Sequence, residues 1–351
     1  GTYMIQAADA QGVNIEAVNI TLTDAAGNVS SAASSSGSTL SVDSTPTPPP
    51  PVEAPTIASV TIIPNSGYAK VGDVVTITVT AGGNEAGLEH SNATINGKQV
   101  ALTEQEDSTY VGVYIVAEGD SDGTNIEATN ITLTGPGGTS APASSTGSTL
   151  NVDAHTPVVS SVTISPDSGW VKTGDIVTIT VTDSSNETGF DPSDATINEK
   201  SVSLTDQLDG TYTGTYTVQV GDIQGVNIEA ANITLADGAG NVSSAGASSG
   251  STLKVDTQAP TITSVTINPS SDTVRTGNNV NITVTAGGNE AGLTASNAQI
   301  NGKSIPLAGQ GDGTYTGTYT VQSGDDQGEN IEATNITLTD DAGNISNVAS
   351  S

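Results

Sequence analysis

The chain has no cysteine, one tryptophan, one phenylalanine and two histidines, and only seven lysines and arginines stand against 38 aspartates and glutamates. Each shortage removes a class of function. Without cysteine there is no disulfide framework, no Cys-x-x-Cys redox pair and no thiolate metal site. The absence leaves the compartment open, because a disulfide-free surface protein and a cytosolic one look alike. A formal charge of −31 repels phosphates, which excludes nucleic acid and anionic membranes as partners. No run approaches the roughly 18 apolar residues of a membrane span, so no membrane insertion is expected, and no basic and apolar leader opens the sequence. The histidines, His90 and His155, fall in a loop and a linker without repeat equivalents, so no Ser-His-Asp set is expected despite abundant serine. With no Walker-type loop and no His cluster either, the chain reads as a non-enzyme.

What is present repeats. Asn14-Ile15-Glu16-Ala17, Asn125-Ile126-Glu127-Ala128, Asn227-Ile228-Glu229-Ala230 and Asn330-Ile331-Glu332-Ala333 are each followed by Asn-Ile-Thr-Leu, and the last three lie 102 and 103 residues apart. A period near 100 matches one small sandwich domain in tandem. Alignment gives a partial unit at 1–43, with strands E to G only, and a Pro-rich linker at 44–55 that contains Pro48-Pro49-Pro50-Pro51, a semi-rigid spacer. Unit one follows at 56–153, unit two at 158–256 and unit three at 261–351, the last lacking its final strand. Gly1 aligns with Gly214 and Ser351 with Ser249, so both ends are expected to cut a repeat. The chain then reads as a piece of a longer array, or as a subunit whose open sandwich accepts a strand from a neighbour.

Glycine, serine, threonine and asparagine interleaved with valine, isoleucine and leucine favour short half-buried strands over helices. In unit two, period-2 alternation predicts strand A at Ser161–Ile164, B at Asp175–Val181, C and D around Asn198-Glu199-Lys200, E at Thr211–Val218, F at Asn227–Leu235 and G at Ser251–Val255. The hairpin turn reads Asn96-Gly97 and Asn301-Gly302 in units one and three, the preferred tight pair. Seven strands in about 100 residues predict an all-β chain of tandem immunoglobulin-like sandwiches forming an extended array.

Asp209–Val218, Asp237-Gly238-Ala239-Gly240-Asn241 and Val255–Pro260 resemble the bacterial Ig-like (Big-type) repeats of very large prokaryotic surface adhesins and surface-layer proteins, and the likeness covers every unit. The resemblance implies an extracellular, cell-surface home, calcium-stiffened junctions in many members, and a stalk or lattice role. It identifies no ligand.

Recurring acids are the candidate site residues. Strand direction places the B–C, D–E and F–G loops at one pole and the A–B, C–D and E–F loops, with the end of G, at the other. Asp120, Asp122 and Asp153 of unit one are therefore expected to approach Glu187 and Asp237 of unit two, and Asp222 and Asp256 to approach Glu290 and Asp340 of unit three. Carboxylates meeting in this way repel unless a cation intervenes, and calcium takes six to eight hard oxygen ligands. Calcium staples are the expectation at these two junctions. The junction before unit one carries the proline linker, and Gly135-Pro136-Gly137-Gly138 supplies no acid there. The rival is solvated acids or direct salt bridges to Lys70, Lys172, Arg275, Lys98, Lys200 and Lys303, with exposed pairs contributing only about 0–1 kcal/mol each. The recurrent glutamates Glu16, Glu127, Glu229 and Glu332 are expected to bond backbone near the E–F loop or to join the metal shell.

Candidate glycosylation acceptors in Asn-x-Ser/Thr are Asn19, Asn28, Asn92, Asn130, Asn186, Asn232, Asn241, Asn281, Asn335 and Asn344. The expected function is a non-enzymatic structural stalk, fibre or surface-layer segment whose partners are neighbouring copies or further repeats. Alternatives are an adhesin segment binding glycan or protein, hinted at by Trp170, and a filament assembling by strand donation into unit three.

Overall fold

Val177, Ile179 and Val181 are fully buried while Thr178, Thr180 and Thr182 alternate with them on a half-exposed face, which makes Ile176–Asp183 a strand with one wet side. The computed structural model describes residues 1–6, 9–44, 49–105, 107–185, 188–327 and 330–351. In unit two, strand B (Ile176–Asp183) lies antiparallel between strand A (Val159–Ser165) and strand E (Thr211–Thr217). Thr205–Asp206 adds to the far side of E. Tyr212, Tyr216 and Val218 point into the core, at most 3% exposed.

The second sheet contains the hairpin Ala195–Ile197 and Lys200–Val202, with Ala230–Ala231 of F beside the first leg. Strand G (Lys254–Val255) meets F at Asn227 and on its other side runs parallel to Trp170–Val171. This parallel pair was not foreseen: the chain of strand A crosses from one sheet to the other. The run Lys200–Asp206 crosses likewise, starting on the hairpin and ending against E. Strand F is shorter than its alternation predicts, because Asn232 takes φ 63° and interrupts it. Asn130 and Asn335 do the same at 58° and 59°.

The same plan recurs in unit one, and its A–B–E sheet and hairpin recur in unit three, so the all-β tandem sandwich is the observed architecture. Three separate cores result, centred on Tyr110, Ile131 and Leu133, on Tyr212, Ile233 and Leu235, and on Tyr315, Ile336 and Leu338. Ser351 Oγ accepts from Ala333 N at 3.0 Å as Ser248 Oγ accepts from Ala230 N at 2.9 Å. That shifts the alignment of Ser351 by one, to Ser248. Residues 9–44 form an F–G hairpin bridged at Gly12–Val42, Ile20–Ala33 and Thr23–Val29. Its Ile20 and Leu22 are 50% and 75% exposed, whereas Ile233 and Leu235 are fully buried beneath a second sheet.

The tight hairpin turn needs two left-handed residues. Asn96-Gly97 and Asn301-Gly302 provide them at φ 45° and 74° and at 47° and 72°. In unit two Glu199 must adopt φ 61°, a conformation costing roughly 1–2 kcal/mol for a residue with a Cβ. Glu199→Gly is expected to stabilise unit two by about 1 kcal/mol, part of the gain being offset by glycine's larger unfolded entropy. A lower urea midpoint for the variant would show that the turn is not strained.

Candidate sites at the junctions between units

The facing of loops across a junction follows the strand directions. Asn241, at the end of the F–G loop of unit two, accepts from Val71 N at 2.9 Å and donates to Asp153 O at 3.2 Å, both in unit one. Asn344 of unit three donates to Asp256 O at 3.0 Å in unit two. Before unit one the contact is of another kind. A Cβ on Gly137 would sit 2.0 Å from Glu53 O, so the acid-free loop lies directly on the linker backbone and only glycine fits.

Between units one and two, Asp122, Asp153, His155, Asp183 and Asp237 line one cleft. Asp122, Asp153 and His155 each bring a ligand atom within 4.8 Å of the others, the one such group among the described residues. Asp122 Oδ1 accepts from Ala154 N at 2.9 Å and faces His155 Nδ1 at 3.0 Å. The Ala154 N–H holds the Asp122 carboxyl below its ordinary range, with His155 adding to the effect. Burial pushes the Asp153 carboxyl up; the His155 N–H opposes this, and the charges of Asp237 and Asp122 push the same way as burial. Asp122 in turn raises the His155 imidazole. Glu118 fastens the linker by accepting from Thr156 N at 3.1 Å and Thr156 Oγ1 at 2.6 Å. Asp183 does so from the other side, accepting from Val158 N and from Ser185 N at 2.7 Å.

The junction between units two and three is built differently. Gln224 stands where unit one has Asp122, and it exchanges hydrogen bonds with Thr257 N at 3.2 Å and Thr257 Oγ1 at 3.1 Å. Gln258 stands where unit one has His155, and its N–H donates to Asp256 Oδ1 at 3.0 Å. The backbone carbonyl of Glu290 accepts from Tyr315 OH at 3.3 Å, inside unit three.

Asp120 and Asp222 do not reach across a junction as expected. They are 5% and 4% exposed and turned into their own units, as is Asp325 at 8%. Asp120 Oδ2 accepts from Tyr114 OH at 3.0 Å and Ala117 N at 3.1 Å, while Lys98 Nζ lies 2.6 Å from Oδ1. Lys200 with Asp222 at 3.4 Å and Lys303 with Asp325 at 3.5 Å repeat the pair. These cations are thus consumed within units. The physical reason is local: the last tyrosine of strand E and the lysine of the hairpin both point at the E–F loop.

Asp237 is held by its own loop, Oδ1 accepting from Ala239 N, Gly240 N and Asn241 N at 2.8–2.9 Å and Oδ2 from Asn241 Nδ2 at 2.8 Å. Asp340 holds Asn344 in the same way. Glu127 and Glu229 accept from Ser148 N at 3.0 Å and Ser251 N at 2.9 Å and take the hydroxyls of Ser145 and Ser248, so they pin the start of strand G and stay out of the cleft. Glu187 and Asn186 lie outside the described residues. Asn19, Asn28, Asn92, Asn130, Asn232, Asn281 and Asn335 are exposed, whereas Asn241 is 3% exposed within the junction.

Sequence reasoning missed His155 and Asn241. The first was signalled by Asp153-Ala-His at the end of strand G, the second only by closing the loop Asp237–Asn241.

No known protein family matches the chain, and no curated protein does. Solved structures to which it is similar include a segment of a 1.5-MDa bacterial ice-binding adhesin, at 21% identity over 85% of this chain and 95% of that one, with a TM-score of 0.35. FdeC, an Escherichia coli adhesin, is 19% identical over 83% of this chain and 96% of its own, with a TM-score of 0.31. The fibronectin(III)-like modules of Clostridium thermocellum CbhA are 14% identical over 57% of this chain and 94% of their own, with a TM-score of 0.28. The sandwich fold itself rests on the strand order described above.

Proposed function

We propose that the chain is a non-enzymatic extracellular structural protein, a stalk, fibre or surface-layer segment of tandem Ig-like units, partnered by neighbouring copies or further repeats, with calcium stiffening the junction between units one and two. The observation that carries the calcium assignment is the convergence of Asp122, Asp153 and Asp237 on one cleft while burial and mutual repulsion act on Asp153. Three carboxylates are a hard-oxygen donor set that suits calcium, which also accepts backbone carbonyls and water. The imidazole of His155 does not belong in such a shell, and its contact with Asp122 supports the rival reading, a direct His–carboxylate pair in place of a metal. A structural role along the rest of the array follows from surfaces dominated by threonine, serine and carboxylates, with aromatics only 3% of the chain.

Calorimetric titration of the full chain with calcium is the test. Binding to the wild type and its loss in both Asp122→Asn and Asp153→Asn is expected. No heat and no change in melting temperature on calcium addition would remove the metal and leave the ion pair. An adhesin reading rests on Trp170, 41% exposed with Lys254 Nζ 5.4 Å from its ring centre on the outer face of unit two.

A further inference from the structure

The geometry points to Asn241, and to Asn344 in the next unit, as positioning residues that set the angle between successive Ig-like units by reading the main chain of the preceding one, without a metal. Side-chain amides suit this task because one group offers both a donor and an acceptor. Asn241 uses both ends across the junction: Oδ1 takes the Val71 N–H at 2.9 Å and Nδ2 gives to Asp153 O at 3.2 Å. It thereby ties two separate segments of unit one, the loop after strand A and the end of strand G, to one atom group of unit two. It is 3% exposed although it sits in a loop, so these bonds are shielded from water. Lys70 lies over the neighbouring Gly240, 3.6 Å from where a Cβ would be, and Lys172 covers Gly343 at the same distance in the next junction.

The loop is built before it docks. Asp24 and Asn28 form the same internal bonds, with Asp24 Oδ1 accepting from Ala26 N and Asn28 N at 2.9 Å and Oδ2 from Asn28 Nδ2 at 3.0 Å, yet Asn28 is exposed and makes no hydrogen bond to another unit among the described residues. Asp237 and Asp340 are therefore the scaffold that orients the asparagine. Preorganisation of this kind lowers the ordering cost of docking. Before unit one, Gly135-Pro136-Gly137-Gly138 lacks both the aspartate and the asparagine, and the loop rests on the linker instead. Rigidity is thus set separately at each junction. Asn241-Val-Ser and Asn344-Ile-Ser are also sequons, and a glycan on either Nδ2 would leave one N–H for the two acceptors it now serves.

The chain has no cysteine, so a single spin-label pair at Thr103→Cys and Thr205→Cys, both exposed and on opposite sides of the first junction, reports its stiffness in the full-length protein. In chelator the wild type is expected to give one narrow distance distribution and Asn241→Ala a distribution broader by about twofold, since free relative motion is the default for linked domains. Asn28→Ala and Asn344→Ala, which leave this junction intact, are expected to match the wild type. An unchanged distribution in Asn241→Ala overturns the proposal, as does equal broadening in Asn344→Ala, which would mean general loosening. A wild type that is broad in chelator and narrow only with calcium would favour the cation and overturn the clamp. A wild type already narrow in chelator keeps the clamp, and further narrowing on calcium addition would add the cation to it.

Discussion

Asp222→Ala is expected to take about 3 kcal/mol from the stability of unit two, a large share of what a domain of this size possesses. The carboxylate is 4% exposed; Oδ2 accepts from Tyr216 OH and from Gln219 N at 2.8 Å, and Lys200 Nζ stands 3.4 Å from Oδ1. Oδ1 has no hydrogen bond of its own, so its compensation is the ion pair alone. Tyr216 OH in turn accepts from Asn198 Nδ2 at 2.9 Å, which anchors the hairpin to strand E. Alanine leaves the buried Tyr216 hydroxyl and the part-buried Gln219 N–H without this partner, and it is this loss, more than the ion pair, that sets the magnitude. Asp222→Asn keeps an acceptor and should lose less.

The same network fixes the pH response. Burial pushes the Asp222 carboxyl up, but the Tyr216 hydroxyl, the Gln219 N–H and Lys200 together outweigh it and leave the group below the ordinary aspartate range. A depressed value means stability that is complete above the unfolded pKa near 4 and is lost as pH falls through the folded one. Tyr216 has the opposite sign, pushed up to about 12 by burial first and then by Asp222. Its contribution is complete below about pH 10 and is lost as pH rises toward the folded value. Urea melts at pH 3–7 and 9–12 should thus show an acid limb missing from Asp222→Asn and an alkaline limb missing from Tyr216→Phe. Limbs identical to the wild type in both variants would sink this account.

How much of this was legible in the sequence depends on how local each cause is. Alternation and Asn-Gly turns disclosed the strands and the buried tyrosines, because both are nearest-neighbour effects along the chain. The crossing of Trp170–Val171 to pair with strand G was not legible, since two polar-flanked residues carry no periodicity. For the acids, pole geometry placed Asp122, Asp153 and Asp237 at one cleft, but it could not tell loop acids that turn inward from those that turn out. Asp120 and Asp222 turn inward because the last tyrosine of strand E and the lysine of the preceding hairpin wait for them. The role of Asn241 in the five-residue loop Asp237–Asn241 shows only when the loop closes and its own N–H groups bind the aspartate carboxylate.

Gly214→Ala is expected to destabilise unit two by about 2–3 kcal/mol, against the usual sign for glycine replacement. Gly214 lies mid-strand opposite Ile179, where alanine is intrinsically the better residue and where fewer unfolded conformations would favour the substitution by about 0.4–1 kcal/mol. A Cβ there would meet Ser203 O at 2.7 Å, Val202 Cγ1 at 2.9 Å and Leu204 Cδ2 at 3.0 Å. Ser203 belongs to the run that crosses from the hairpin to strand E, held on one side by Lys200–Val202 and on the other by Thr205–Asp206, so its carbonyl has no room to retreat. Gly112 faces Ala101 O at 3.0 Å and Gly317 faces Pro306 O at 2.7 Å, the same approach in the other units. Gly238 is the control: in the F–G loop it has open space where a Cβ would stand and needs no left-handed φ, so Gly238→Ala should be neutral or slightly stabilising. Denaturant melts of the two variants decide between crossing geometry and generic strand preference, because only the former gives them opposite signs; a stabilised Gly214→Ala would mean that the crossing run yields and the sheets are not locked at this point.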